Sequence, residues 1–484
     1  MNNKTSKARI FTSLRWSAFR SVSQLIFSFI VPVILARLLV PEDFGLVAMA
    51  AVFTGLSSLL LDFGTGSAII QKLKQDIEFQ SSIFWFNIFM GLIIWGMIVI
   101  MAPYIAKLYG NLIITQIIYV SSFSIILQSI NILPAALLRK NMDFYSLAIS
   151  TLISQFIGSI IAVTLAWNNF GYWSIVFYSL FNTVFFSIVL WIRSKWRPKF
   201  SFHLLHIKEI FRFSSLLTGT KFLNYFERQA DKFIIGYFLG SASLGIYSRA
   251  YGFLLKPMKT ISGFLNPVVY SSMSENQNDL NRLKKLYLES TQALAMVFFP
   301  IAVTLIIFAD PLVNLILGLK WANMIPLVPF FATILFYKPL HKINPEIFKA
   351  LDKTDIMFKL WSVFTPIIIA GFLIGKQFGI IGVSASYTIT SFLLFLASTY
   401  LAKNMINVSV YEIYLNIKNV ITRSIILAIF YVISNSLFLK YEVLFIGLTP
   451  VIIILGLIIY AALQLVWPIK SFENLLMFLK FQDL

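Results

Sequence analysis

No cysteine occurs in this 484-residue chain, which excludes disulfides, zinc–thiolate sites and thiol chemistry. Charge is scarce: Asp, Glu, Lys and Arg together make up 12% of the residues, against about 25% in an ordinary soluble domain. Acids are the scarcer half, 20 against 39 Lys and Arg, for a net charge of +19. The three histidines, His203, His206 and His341, offer one His-x-x-His pair, too little for a metal site. There is no Walker A pattern, so the chain does not itself drive transport with ATP. Neither G-x-S-x-G nor H-E-x-x-H occurs, and no sizeable loop holds a carboxylate pair. The sequence therefore points to no catalytic residue, metal or cofactor, and to a protein that is not an enzyme. What fills the chain is apolar: 58% of the residues, with a mean hydropathy of +0.83. A soluble core cannot hide that much apolar surface, so the main solvent is a bilayer.

A membrane-crossing helix needs about 20 apolar residues. Apolar segments separated by short polar breaks lie at 14–36, 44–70, 81–102, 112–134, 144–166, 172–192, 211–238, 244–270, 288–309, 323–340, 357–375, 380–402, 419–439 and 443–466. The pattern predicts an all-α polytopic membrane protein with about fourteen spans. No small-residue cleavage site follows the basic start MNNKTSKAR, so the first segment is expected to stay as a span. With the N-terminus on the cytoplasmic side, 28 cations fall in cytoplasmic segments and 5 in outer loops. Cations favour the cytoplasmic side of a membrane, so both termini are expected there. The same asymmetry accounts for the basic balance without nucleic acid as a partner. Six cations remain, inside the seventh and eighth segments: Lys221, Arg228, Lys232, Arg249, Lys256 and Lys259.

The chain also repeats itself. At an offset of 200, Leu39, Gly45 and Ala50 match Leu239, Gly245 and Ala250. At an offset of 208, Pro103, Gly110 and Phe170-Gly171 match Pro311, Gly318 and Phe378-Gly379. Their order predicts two six-helix lobes, 1–200 (helices 1–6) and 201–408 (helices 7–12), followed by two further helices in 409–484. Parallel repeats of this kind typify secondary transporters, with the site between the halves near the midplane. The stretch RSKWRPKFSFHLLHIK (193–208) is expected as an inter-lobe helix or linker.

An ionisable group at bilayer depth costs about 2.5–3.5 kcal/mol, so it normally faces protein or water and often marks function. Ser214, Lys221, Arg228 and Lys232 fall on one helical face, and so do Arg249 and Lys256. Polar stripes run along the first segment (Ser17, Arg20, Gln24, Ser28), the second (Thr54, Ser58, Asp62, Thr65) and the fourth (Ser121, Ser124, Gln128, Asn131). Converging, they would line a hydrated, positively charged cavity suited to an anionic solute. Arg20, Lys221, Arg228, Arg249 and Lys256 are the candidate ligands of that anion. Asp62 and Glu227 are candidate coupling-ion carboxylates. Structural readings stand beside these: an Arg228–Asp231 ion pair, interhelical bonding by the Ser/Thr/Gln stripes, and Asp62 neutralising a neighbouring arginine.

ARLLVPEDFGLVAMA (36–50), LLDFGTGSAIIQK (60–72), RQADKFIIGYFLGSASLGIYSRAY (228–251) and NPVVYSSMSE (266–275) resemble the polysaccharide-exporter branch of the multidrug/oligosaccharidyl-lipid/polysaccharide superfamily. The likeness is to lipopolysaccharide biosynthesis proteins of the colanic-acid and teichuronic-acid exporter type. It implies alternating access and flipping of an undecaprenyl-pyrophosphate-linked oligosaccharide across a bacterial cytoplasmic membrane. It also implies a lipid-linked oligosaccharide and membrane lipid as partners, with a polysaccharide polymerase and export machinery beyond them. In related flippases, arginines on the first, second and eighth helices contact the pyrophosphate. Arg20 and Arg249 match the first and eighth, whereas the second helix here carries Asp62 and no arginine before its outer end. Lys221 and Lys256 are the candidate substitutes. The competing function within the superfamily is a drug or organic-cation antiporter, which needs an acidic, aromatic cavity to attract cations. A membrane enzyme of envelope assembly would place acids or histidines in substantial outer loops, and these are short.

Overall fold

The computed structural model describes residues 3–62, 65–71, 76–438 and 442–466, and among them every regular element is helical. The chain begins with α1 (Asn3–Leu38), α2 (Pro41–Asp62), α3 (Thr65–Gln71), α4 (Ile77–Tyr109), α5 (Ile113–Lys140), α6 (Phe144–Trp167) and α7 (Trp173–Ser194). It continues with α8 (Leu204–Glu275), α9 (Leu280–Ile307), α10 (Ala309–Ile316), α11 (Val328–Ile334), α12 (Lys338–His341) and α13 (Asn344–Ala350). The last four are α14 (Thr354–Gly375), α15 (Gly379–Met405), α16 (Val410–Phe438) and α17 (Glu442–Val466). Aspartates start several of them. The Asp76, Asp143 and Asp279 carboxylates accept from the N–H groups of Phe79, Ser146 and Arg282 at 2.8, 3.0 and 3.0 Å, satisfying donors that a helix start leaves open.

The fifth, sixth, eleventh, twelfth and fourteenth apolar segments became helices within three residues of their expected bounds; the first, third, fourth and ninth became helices that run further at one end or both, and the second holds α2 and α3. Three departures have physical causes. The seventh and eighth segments form one helical run, α8, that breaks at Gly240, where φ of 84° and ψ of 177° leave helical space and the missing Cβ makes this possible. The thirteenth starts at Val410 rather than 419, extended by a mutual cap: the Glu412 N–H donates to Ser409 Oγ and the Ser409 N–H to the Glu412 carboxylate. The tenth, expected as one helix over 323–340, is not continuous. A 3-10 stretch at Leu319–Leu327 leads into α11, and the path then bends by 45° before α12 and α13. Pro326, Pro329, Pro339 and Pro345 each remove a backbone donor along it, which explains the interruption.

Among the described residues eight helical stretches are long and apolar enough to cross a membrane, and the bent pair Leu319–Ile334 with Lys338–Ala350 makes a ninth. One of the eight, Thr354–Met405, holds two crossing helices, α14 and α15. With α2, the two arms of α8 and α17, the crossings number fourteen, one for each apolar segment. Phe89, Ile100, Ile160, Val363, Ile389 and Ile458 are exposed, a surface suited to lipid tails rather than water. The chain is a multi-pass membrane protein.

The chain divides into two compact units, Met1–Ser248 and Arg249–Leu484. In the first, α1 packs on α6, α4 on α5, and α5 and α6 on α7. Its core gathers Ile69, Phe79, Ile83, Phe84, Leu133 and Ala136. Residues 195–203, expected as a helix or linker, are a non-helical strap pinned to the start of α4. Trp196 Nε1 donates to Gln80 Oε1 at 2.8 Å, Trp85 Nε1 to the Lys199 carbonyl at 2.9 Å, and the Lys199 and His203 N–H groups to Ser81 and Ser82 Oγ, each at 3.0 Å. In the second unit α14 and α15 form a hairpin, and α16 and α17 dock on α9 around Tyr431, which lies edge-on to Phe308 and donates to the Ile453 carbonyl at 3.0 Å.

The repeat gains a physical basis here. Gly110 and Gly318, matched at the 208 offset, both hold φ positive, at 67° and 91°. Gly171 and Gly379 do the same at 55° and 66°. Side-chain-bearing residues rarely adopt this region, so the matched letters record a shared backbone demand.

Candidate functional site

In the first unit, Arg20 lies on α1 among Ser17, Ser21 and Gln24. It is half-buried; its Nε is shielded from solvent and has no hydrogen-bond partner. Arg139, near the end of α5, is close enough to repel it. A desolvated guanidinium beside a like charge is an arrangement an anion would stabilise.

The polar stripes divide between bonds within their own helices and bonds between helices. Ser21, Ser28, Thr54, Ser121 and Ser124 donate their hydroxyls to carbonyls of their own helices three or four residues back, at 2.6–3.2 Å. Ser57 does the same to Thr54. Such back-bonding hides a hydroxyl in an apolar medium without a partner helix. Two members of the stripes bond between helices: Thr65 Oγ1 donates to Asn87 Oδ1 at 3.1 Å, and Asn131 Nδ2 to Ser187 Oγ at 2.7 Å.

The side chains of Asp62, Lys221, Glu227 and Arg228 lie outside the described residues. Asp231, the proposed partner of Arg228, is buried and engaged across the Gly240 break. Its Oδ2 accepts from the Tyr247 hydroxyl at 3.0 Å, and its Oδ1 from the Lys232 N–H at 2.7 Å. Tyr247→Phe should therefore cost about 1–3 kcal/mol, since a buried carboxylate loses a donor and gains no water. Thermal unfolding of the purified protein in detergent checks this; wild-type melting would remove Asp231–Tyr247 as a brace between the two arms of α8.

In the second unit, Arg249 is half-buried and Lys256 exposed, seven residues apart on one face of α8. Two cations counted from the sequence with the cytoplasmic charge, at the ends of the tenth and thirteenth apolar segments, lie inside spans. Arg423, on α16, is buried and donates to Gln464 of α17. Lys338 sits at the break of the bent span, where its Nζ donates to the Tyr387 hydroxyl and lies 4.3 Å from the centre of the Tyr387 ring. The segment after the break is tied to α15 and α9 by a buried polar network. His341 Nδ1 meets Ser398 Oγ at 2.7 Å, Asn344 Nδ2 donates to Ser398 Oγ at 2.9 Å and Thr399 Oγ1 at 3.0 Å, and the Tyr287 hydroxyl donates to Asn344 Oδ1 at 3.2 Å. His341 is thus placed as a structural group. Periodicity did not flag Lys338. The signal was the Pro-rich run around it, which removes backbone donors and interrupts a span.

Among the described residues no three His, Asp or Glu are close enough to hold a metal ion. The chemistry available is cationic and aromatic: binding of an anion, with hydroxyls and rings at hand for a polar, ring-bearing solute.

Residues 34–326 match the polysaccharide biosynthesis protein family. The succinoglycan biosynthesis transport protein ExoT of Rhizobium meliloti is 27% identical over 317 residues, 66% of this chain and 64% of that protein. This chain therefore spans just under two thirds of ExoT. The teichuronic acid biosynthesis protein TuaB of Bacillus subtilis is 23% identical over 363 residues, 72% of this chain and 73% of that one. Among solved structures, the lipid II flippase MurJ in an inward closed conformation superposes with a TM-score of 0.72 at 15% identity, covering 94% of this chain and 98% of that one. That likeness establishes the fold, and with it the all-α architecture read from the sequence.

Proposed function

Because this chain belongs to the polysaccharide biosynthesis protein family, we propose that it is a flippase moving a polyprenyl-pyrophosphate-linked oligosaccharide across a bacterial cytoplasmic membrane, for export of a cell-surface polysaccharide. Alternating access is the mechanism: the anionic headgroup binds from one side, the protein changes state, and the glycan leaves on the other. The protein acts as a carrier and makes or breaks no covalent bond. The observation that carries the reading is Arg20, whose shielded Nε has no protein acceptor and whose neighbour Arg139 is also positive. A pyrophosphate supplies the charge and the acceptors this guanidinium needs. Arg249 and Lys256, with Lys221 and Arg228, are the further headgroup contacts, and Asp62 and Glu227 the carboxylates for a coupling ion. The excess of cations in alternate loops supports cytoplasmic termini. A polymerase that consumes the flipped glycan is the natural downstream partner.

Binding tests the reading. Purified protein in detergent should be stabilised against heat by a short-chain polyprenyl pyrophosphate, through preferential binding to the folded state, and not by an organic-cation drug. Stabilisation by the drug alone would favour the antiporter.

A further inference from the structure

The bent span in the second unit brings together groups that headgroup binding does not use. Backbone irregularity at membrane depth is tolerated where it is buried in protein or lines a water-filled cavity, and interrupted helices often mark transporter binding sites. At this interruption stands Lys338, held over the Tyr387 ring of α15 and bonded to its hydroxyl. Tyr251, from α8, completes the cluster: its hydroxyl is 3.4 Å from that of Tyr387, and the ring centres are 5.9 Å apart at 51°. Phe331 of α11 lies edge-on to Tyr251 at 5.9 Å, and Phe372 of α14 backs Tyr387 at 6.0 Å, so both phenol rings are held in place. Lys338, Tyr251 and Tyr387 are each half-buried, fixed yet within reach of a ligand.

We infer that Lys338, Tyr251 and Tyr387 form a glycan subsite for a sugar bearing a carboxylate, separate from the pyrophosphate contacts. A pyranose has apolar C–H faces and hydroxyl edges; a tyrosine matches both, with an apolar ring and a hydroxyl at its rim. The lysine ammonium supplies a compact charge for the carboxylate. Tyr251 and Arg249 are two residues apart on one helix, so their side chains diverge and the subsite does not share the Arg249 face. The inference rests on the flippase reading and extends it to a class of substrate: glycans containing acidic sugars.

The experiment uses proteoliposomes and two carriers: a polyprenyl pyrophosphate bearing an oligo-hexuronate, and its carboxyl-reduced counterpart, identical except for the acid groups. Lys338→Gln keeps a hydrogen-bonding group at similar length and removes the charge. It should slow flipping of the hexuronate carrier about tenfold, the worth of one charge-assisted contact, and leave the reduced carrier within about twofold. Lys338→Arg should restore the hexuronate carrier in part, and Tyr251→Leu should slow both through lost stacking. Equal loss of both carriers in Lys338→Gln would make the lysine a pyrophosphate or structural group and overturn the inference, as would no loss of either. If the wild type moves neither carrier, the flippase reading itself fails, a result distinct from both.

Discussion

Gly45→Ala and Gly245→Ala should each lower stability and transport sharply, although each adds one methyl group. An ideal Cβ on Gly45 would stand 1.7 Å from the Ser241 carbonyl oxygen, and one on Gly245 would stand 1.8 Å from that of Pro41. The contact is reciprocal and obeys the repeat: 45 pairs with 241 and 245 with 41, the same positions 200 apart. It joins the start of α2 to the start of the second arm of α8, where Ser241 Oγ also donates to Glu42 Oε1 at 3.4 Å. Ordinary Cβ contacts begin near 3.4 Å, so the backbones would have to part by more than an ångström. Ordinary overpacking costs about 1–3 kcal/mol, and here the obstacle is backbone, which has no rotamer to change. Gly96 and Gly252 are the controls. Nothing lies within 4 Å of a Cβ at either, and alanine in a helix is favoured over glycine by about 0.8–1 kcal/mol. Gly96→Ala and Gly252→Ala should melt at or above the wild-type temperature while Gly45→Ala and Gly245→Ala melt well below it. Equal melting of all four would show that the two helix starts are not in contact.

The second large effect separates function from stability. Arg20→Gln and Arg249→Gln should each slow flipping about 10- to 100-fold, from charge-assisted hydrogen bonds worth about 1.5–3 kcal/mol. For Arg20 the structure adds a sign. Its Nε is desolvated without a partner and Arg139 repels it, so glutamine removes an unfavourable charge from the empty protein. Arg20→Gln should therefore melt no lower than wild type while transport falls. A structural arginine would show the reverse, with melting lowered and residual transport in proportion to folded protein.

The helices were legible because a bilayer imposes length and polarity on each span: 144–166 became Phe144–Trp167 and 380–402 became Gly379–Met405. The repeat was weak as letters and strong as geometry, since Gly110 and Gly318, or Gly45 and Gly245, matter for a φ angle or a missing Cβ that no alignment of two segments displays. What escaped were contacts between residues distant in sequence. Asp231 accepts from Tyr247 across the Gly240 break, a contact that no helical spacing displays. Lys338 and Arg423 entered only the cytoplasmic charge count, and nothing in their spacing showed the tyrosine and glutamine partners that hold them. The serine stripes had the spacing of a lined cavity, yet their hydroxyls turn back to their own helices. Periodicity reports the face of a helix and is silent on what that face meets.

The most direct test is leaflet-to-leaflet transfer of a polyprenyl-pyrophosphate oligosaccharide in proteoliposomes, measured for wild type, Arg20→Gln and Arg249→Gln, with an organic-cation drug assayed in parallel. The expected result is glycolipid transfer by the wild type, at least about tenfold slower in either variant, and no movement of the drug. Drug movement without glycolipid transfer would contradict it, and would make the cationic faces structural.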